Sequence, residues 1–316
     1  LALFGQSFVC HRCGFPGGWW IRRTLVGEEE MAKLRLATCQ FLIEKQPARN
    51  LEQIKRQMRS ARKRGAHLIH FSEACLTGYL GAELKSVRET DWNQVRNHLQ
   101  EVQELAAHLG VSVVLGSNHQ LTGLHKPHNS LYVIDDKGRL LTRYDKLFCT
   151  GCGDDDGDLK HYSSGSELIT FTVRKVKCGL LICHDYRYPE LFREYKRRGV
   201  QLMLVSFHNA GMTAKSYRHY LMSVPVTLQA AAASNYYWVG CNNGTRKYAW
   251  PSFVINPEGW IVNKARAHRD GVIVTDIDTD VKLYDASAAW RERCLRGVLH
   301  SGRSVADKRS RDRTCV

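Results

Sequence analysis

Residues 179–190 read Gly179-Leu-Leu-Ile-Cys183-His-Asp-Tyr-Arg-Tyr-Pro-Glu190, and the junction inside that stretch decides the fold. An apolar run of strand length, Lys177 to Ile182, passes directly into polar residues, and Pro189 stands where a helix starts, continuing over 190–198. A cysteine at such a junction lies where backbone N–H groups and the helix dipole favour a thiolate. The bland alternative is an inert core thiol, which the single residue does not exclude.

Working outward, two further reactive side chains occupy matching positions. Glu73 ends the apolar run that begins at Leu68, and Lys146 stands just past a hairpin made of Leu131–Ile134, the turn Asp135-Asp136-Lys137-Gly138, and Leu140–Tyr144. Each is weak alone, since a strand-end glutamate or a lysine beside Asp145 commonly faces solvent. Together, a thiol, a carboxylate and an ammonium that all follow strands occupy the place where ligands collect in open α/β sheets.

The rest of the pattern agrees. Residues 33–41 alternate as a half-buried strand, 48–64 and 92–109 carry apolar residues at helical spacing, Gly110 stops the second helix, and 111–116 is a strand. Residues 201–207 form a strand, and 215–234 form a long helix expected to bend or restart at Pro225. Strands over 236–241, 252–255, 260–262 and 272–277 complete the chain, with a turn at Pro257-Glu258-Gly259. Strands alternating with helices, then hairpins, give an α/β protein with helix-covered sheets. Neither a repeat nor a linker interrupts 31–286, so one domain is expected there, flanked by an extension over 1–30 and a basic tail over 287–316.

The contexts FSEACLTGY around Glu73, RYDKLF around Lys146 and LLICHDYRYPELFR around Cys183, in that order, resemble the nitrilase superfamily of carbon–nitrogen hydrolases. Residues 252–259 and Ala232-Ala-Ser-Asn235 resemble its late strand–turn and its helix end, so the resemblance spans about 34–277. It implies a four-layer α-β-β-α sandwich, dimers made by helix packing, and a Glu–Lys–Cys triad carried onto Glu73, Lys146 and Cys183. It also implies a second carboxylate about eight residues past the lysine, where this chain has Asp154 in an acidic run. Arg187 and Glu190 would orient the cysteine loop, with Arg187 alternatively meeting a substrate carboxylate. Tyr79 and His184, inside the motifs, join them as supporting or substrate-binding candidates. His208 and Asn209 follow the strand after Cys183 where the family usually has small or apolar residues, and suggest substrate contact or a loop cap. The implied reaction is hydrolysis of a small linear amide or N-carbamoyl compound. A nitrile substrate cleaved by the same triad, and a catalytically silent interaction protein, remain open. The acidic run would suit an amine-bearing substrate, whereas Arg187 and Arg218 would suit an acid.

Composition sets outer limits. The 316 residues are 43% hydrophobic and 24% charged, an ordinary globular balance, and no apolar run reaches the roughly 18–20 residues of a membrane span. The net charge of +15 is concentrated on one helix face (Lys55, Arg56, Arg59, Arg62, Lys63, Arg64) and in the tail, not in a stripe interleaved with aromatics, so no nucleic-acid partner is expected. Eleven cysteines, several within apolar strands, point to reduced thiols and a cytoplasmic setting. The Cys10/Cys13 and Cys149/Cys152 pairs each stand alone, so neither a metal nor another cofactor is expected. The partners anticipated are a small-molecule substrate and further copies of the chain.

Overall fold

In a computed structural model of the chain, residues 33–209 and 211–314 are described. The expected extension over 1–30, with its Cys10/Cys13 pair, lies outside them. In chain order the elements are β1 (Lys33–Gln40), α1 (Pro47–Lys63), β2 (Leu68–Phe71), α2 (Trp92–Leu109), β3 (Ser112–His119), β4 (His128–Ile134) and β5 (Leu140–Asp145). Then come β6 (Thr170–Val173), β7 (Val176–Ile182), α3 (Pro189–Arg197), β8 (Leu202–Ser206), α4 (Ala214–Asn235), β9 (Trp238–Asn242), β10 (Phe253–Ile255), β11 (Ile261–Lys264) and β12 (Gly271–Asp278). Two short helices, α5 (Arg291–Leu295) and α6 (Lys308–Arg311), close the chain.

The strands form two six-stranded sheets, ordered β12-β1-β2-β3-β4-β5 and β11-β10-β9-β8-β7-β6. Period-two alternation explains how the layers stack. On β1, Leu34 and Leu36 join the cluster between the sheets, while Ala37 and Cys39 face the cluster under α1 and α2. Likewise Leu68 and Val114 point inward to the second sheet, and Ile69, Phe71, Val113 and Leu115 point outward to the helices. Phe192 and Tyr195 of α3, and Val224 and Leu228 of α4, cover the far side of the second sheet. The result is the α-β-β-α sandwich. Strands β7, β8 and β9 are parallel and buried on both faces, which is why Leu180, Leu181 and Ile182, or Leu202 to Val205, read as unbroken apolar runs.

α2 begins at Asp91, whose side chain caps the N–H groups of Asn93 and Gln94, and stops at Gly110 in the left-handed region. α4 departs from expectation by running continuously through Pro225. The carbonyl that a proline at this position leaves unbonded belongs to Leu221, four residues back, and Leu221 is solvent-exposed, so water can satisfy it. In the tail, Arg197 of α3 donates to the Leu295 carbonyl (3.0 Å), and Arg291 lies over the Tyr236 ring. The first part of the tail therefore packs on its own chain.

Candidate active site

Strand directions bring the reactive residues to one edge. β2 and β3 are parallel, while β3–β4 and β4–β5 are antiparallel, so β5 runs the same way as β2. Glu73 follows β2 and Lys146 follows β5, while Cys183 follows β7 in the facing sheet.

The Glu73 turn is tight. Ala74 takes φ 52°, and a Cβ placed on Gly116 of the neighbouring strand would stand 2.1 Å from the Ser72 carbonyl oxygen and 2.7 Å from Ala74 N. Glycine is what lets the turn lie against β3. Glu73 Oε1 accepts from Asn129 Nδ2 (2.7 Å) and Lys146 Nζ (3.1 Å), while Oε2 is buried with no partner among the described residues.

Lys146 is fully buried, a placement tolerated only with close counter-charge. Its Nζ donates to Asp158 Oδ2 (2.7 Å) and Glu73 Oε1 (3.1 Å) and lies 3.5 Å from the Tyr79 hydroxyl. Burial alone would lower its pKa, but Glu73, Tyr79, Cys183 and Asp158 hold the ammonium well above the usual lysine range. The Asp158 carboxyl, which burial pushes up, is brought below its ordinary value by Lys146, by Tyr79 and by the Thr150 N–H (3.1 Å).

Cys183 sits at φ 44°, a strained value for a non-glycine residue, at the start of a 3₁₀ turn over Cys183–Arg187. Glu73 and Lys146 are buried, whereas Cys183 as a residue is partly exposed. Burial, then the Glu73 charge, push the thiol well above its ordinary pKa against the pull of Lys146. A thiol whose pKa the Glu73 charge raises therefore accompanies a carboxylate with one oxygen unused among the described residues.

The sequence profile of the carbon–nitrogen hydrolase family matches residues 35–285. The chain belongs to that family, within the nitrilase superfamily. It is 31% identical over 186 residues to a hydrolase of the agr operon from Staphylococcus lugdunensis, covering 56% of this chain and 74% of that one. It is 28% identical over 258 residues to an omega-amidase of Danio rerio, covering 78% and 89%. An amidase structure from Nesterenkonia sp. matches the fold with TM-score 0.69 at 22% identity, over 84% of this chain and 96% of that one.

Around Glu73, Lys146 and Cys183, this member of the carbon–nitrogen hydrolase family departs from several expectations. The residue on Lys146 is Asp158. Asp154, expected there, is exposed, and its carbonyl accepts from Lys126 Nζ (2.8 Å). The loop after Lys146 curls through a 3₁₀ turn over Gly157–Lys160, which returns the chain to the lysine four residues later than the family spacing implies. Glu190 is also displaced from the site. It is exposed in the first turn of α3, on the cleft facing α4.

The residue that orients the cysteine turn is Asp185, which the sequence reading passed over. It is buried, with Oδ1 accepting from Phe148 N (2.7 Å) and Oδ2 from the Tyr144 hydroxyl (2.7 Å) and Ile182 N (3.0 Å). It thus ties the cysteine turn to both sides of Lys146. Burial lifts its carboxyl to about 6, although these hydrogen bonds pull the other way. Arg187 is exposed and lies over the rings of Tyr186 (5.0 Å) and Tyr220 (5.1 Å), and His184 is half-buried beside Tyr188.

His208 is buried and acts as a support. Its ring stacks on Tyr79 (5.2 Å between centroids), and its Nε2 lies 2.8 Å from Glu83 Oε2 and 3.3 Å from Arg246 Nη1. Burial would raise the Glu83 carboxyl, but His208, the Tyr79 N–H and Arg246 together hold it at about 2. Asn209, at φ 63°, donates to the Tyr248 carbonyl (3.4 Å). Asp158, Asp185, Asn129 and Glu83 share one feature in the sequence. Each is a polar residue in or beside a loop, and that description also fits ordinary surface positions.

Proposed function

We propose that the chain hydrolyses the C–N bond of a small linear amide through a thioester on Cys183, releasing ammonia. The observation that carries this reading is the buried Glu73–Lys146–Asp158 cluster beneath a partly exposed, strained cysteine. Glu73 takes the thiol proton on its unused Oε2 as sulfur adds to the amide carbonyl. Negative charge on the carbonyl oxygen meets the Lys146 ammonium and the backbone N–H of His184, in the first turn of the 3₁₀ segment. Glu73 returns the proton to the nitrogen, the C–N bond breaks and ammonia departs. Water deprotonated by Glu73 then attacks the thioester, releasing the carboxylic acid and restoring the thiol. Tyr79 and Asp158 act by fixing Lys146, and Asp185 by fixing the cysteine turn. An omega-amidase relative favours an amide over a nitrile as substrate.

Ammonia release from a panel of small amides, N-carbamoyl compounds and nitriles tests the reading. The wild type is expected to act on one or more amides, with Cys183→Ala inactive. A folded wild type that cleaves none of the panel would overturn it.

We also propose that the enzyme forms homodimers through its α3–α4 face. Leu221, Met222 and Val226 of α4 are exposed there, beside a cleft of about 650 Å³ between the two helices.

A further inference from the structure

The loop after Lys146 carries a cysteine pair that the proposed reaction leaves unused. Cys149 and Cys152 are free thiols three residues apart, and the chain bends at each of residues 150–152. Three residues span at most roughly 11 Å, and each bend shortens that span toward the roughly 5.5–6 Å that separates the Cα atoms of a disulfide. The two thiols meet different surroundings. Cys149 is half-buried and packs on the cluster of Ala74, Tyr79, Leu80, Leu84 and Tyr162. Burial pushes its thiol up to about 12, with Lys146 pulling the other way. Cys152 is exposed, so an oxidant in solution meets it first.

Thr150, between the two, is bonded to Asp158 at every polar atom. Its N–H donates to Asp158 Oδ2 (3.1 Å), its hydroxyl accepts from Asp158 N (3.0 Å), and its carbonyl accepts from Asp158 N (2.8 Å) and Leu159 N (3.2 Å). The same Oδ2 accepts from Lys146 Nζ (2.7 Å). The loop packs without slack. A Cβ on Gly151 would stand 2.2 Å from the Asp156 carbonyl oxygen, and one on Gly157 would stand 2.7 Å from the Thr150 carbonyl oxygen. A shift of Thr150 or Gly151 is therefore passed on to Asp158.

We propose that Cys149 and Cys152 form a reversible disulfide, a modification site whose closure draws Thr150 off Asp158 and loosens the hold on Lys146. Closure joins a sulfur packed inward to one in solvent, so the Thr150–Gly151 unit between them has to turn. With a small disulfide such as oxidised glutathione as oxidant, Cys152 sulfur attacks one of its sulfurs and releases one thiol. Cys149 sulfur then attacks Cys152 in the mixed disulfide, and its proton goes to the second departing thiol. Two protein thiols are oxidised and the small disulfide is reduced to two thiols. The effect on turnover rests on the amidase reading, whereas the disulfide and the loosening do not.

The test incubates the full chain with oxidised glutathione, then with dithiothreitol. Peptide mass mapping, backbone hydrogen exchange and amide turnover are read after each step. The expected result is a Cys149–Cys152 crosslink lacking two hydrogens, faster exchange over residues 150–159, and kcat lowered about tenfold, all reversed by the reductant. Cys152→Ser, a change at an exposed thiol, is expected to keep the basal turnover and to escape the tenfold loss. Failure of the crosslink to form, or a crosslink that leaves exchange over 150–159 unchanged, would overturn the proposal. So would an equal loss of turnover in wild type and Cys152→Ser, which would assign the loss to capture of Cys183. A folded chain that forms the crosslink and gains exchange, yet cleaves no amide in either state, supports the modification site and ends the amidase reading.

Discussion

At the scale of single residues, charge placement around Lys146 and Cys183 does most of the work. Asp158 shares the Lys146 ammonium with Glu73, whereas Asp154 faces solvent. Steady-state kinetics of Asp158→Asn should therefore show kcat/KM reduced about tenfold or more, with Asp154→Asn close to wild type. Equal effects would contradict the placement. Removing Lys146 with Lys146→Met should cost about 10²–10³ in kcat, as for the loss of one oxyanion donor. The thiol gives a separate check. Since the Glu73 charge raises the Cys183 pKa and Lys146 lowers it, Glu73→Gln should shift the pH midpoint of thiol alkylation downward even as amide turnover is lost. The positions of Glu73, Lys146 and Cys183 were legible in the sequence because each follows a strand in a recognisable context. Asp158 was not, because the spacing pointed to Asp154 and only the 3₁₀ turn over Gly157–Lys160 carries the chain back to the lysine.

At the scale of elements, the site depends on turns that permit no slack. Gly116 has no room for a methyl group against the Glu73 turn, so Gly116→Ala should cost stability and activity together, measurable as a lowered unfolding midpoint with reduced kcat. Asp185 accepts from three donors, and an asparagine there turns one acceptor into a donor facing an N–H or hydroxyl. Asp185→Asn should cost about 1–3 kcal/mol in denaturant unfolding. His70, buried between the sheets against Ser206 (2.8 Å), has its pKa lowered to about 3 by burial. Its folded value lies below the unfolded one, so the unfolded chain binds the extra proton. Its contribution is whole above pH 6.5 and is lost as pH falls toward 3. His70→Asn should show a shallower loss of stability on acidification, by up to one proton between pH 6 and 4. The strands were legible because alternation on β1 assigns its two faces correctly. β6 was not, since Thr170–Val173 at the edge of its sheet is short and only partly buried, and α4 was expected to break at a proline whose freed carbonyl water can reach.

At the scale of the whole molecule, two sheets place three strand ends at one edge, and the cover of helices leaves α3 and α4 with apolar surface showing. Sedimentation should give a dimer mass that Val226→Asp reduces to a monomer, and a wild-type monomer would remove the dimer proposal. Helix-covered sheets followed from the sequence pattern and the four-layer order from the family resemblance, but the cavity lined by Gly81, Asn209, Arg246 and Tyr248 followed from neither. It is assembled from three loops that are far apart in the chain and carry no shared motif. The account as a whole turns on Cys183 forming a covalent bond with the substrate's acyl carbon. Intact-mass spectrometry of enzyme quenched during amide turnover measures this directly. A mass gain equal to the substrate less ammonia, mapped to Cys183 and absent from Cys183→Ala, is the predicted result. Turnover that persists in Cys183→Ala, or an adduct mapped to another residue, would contradict it.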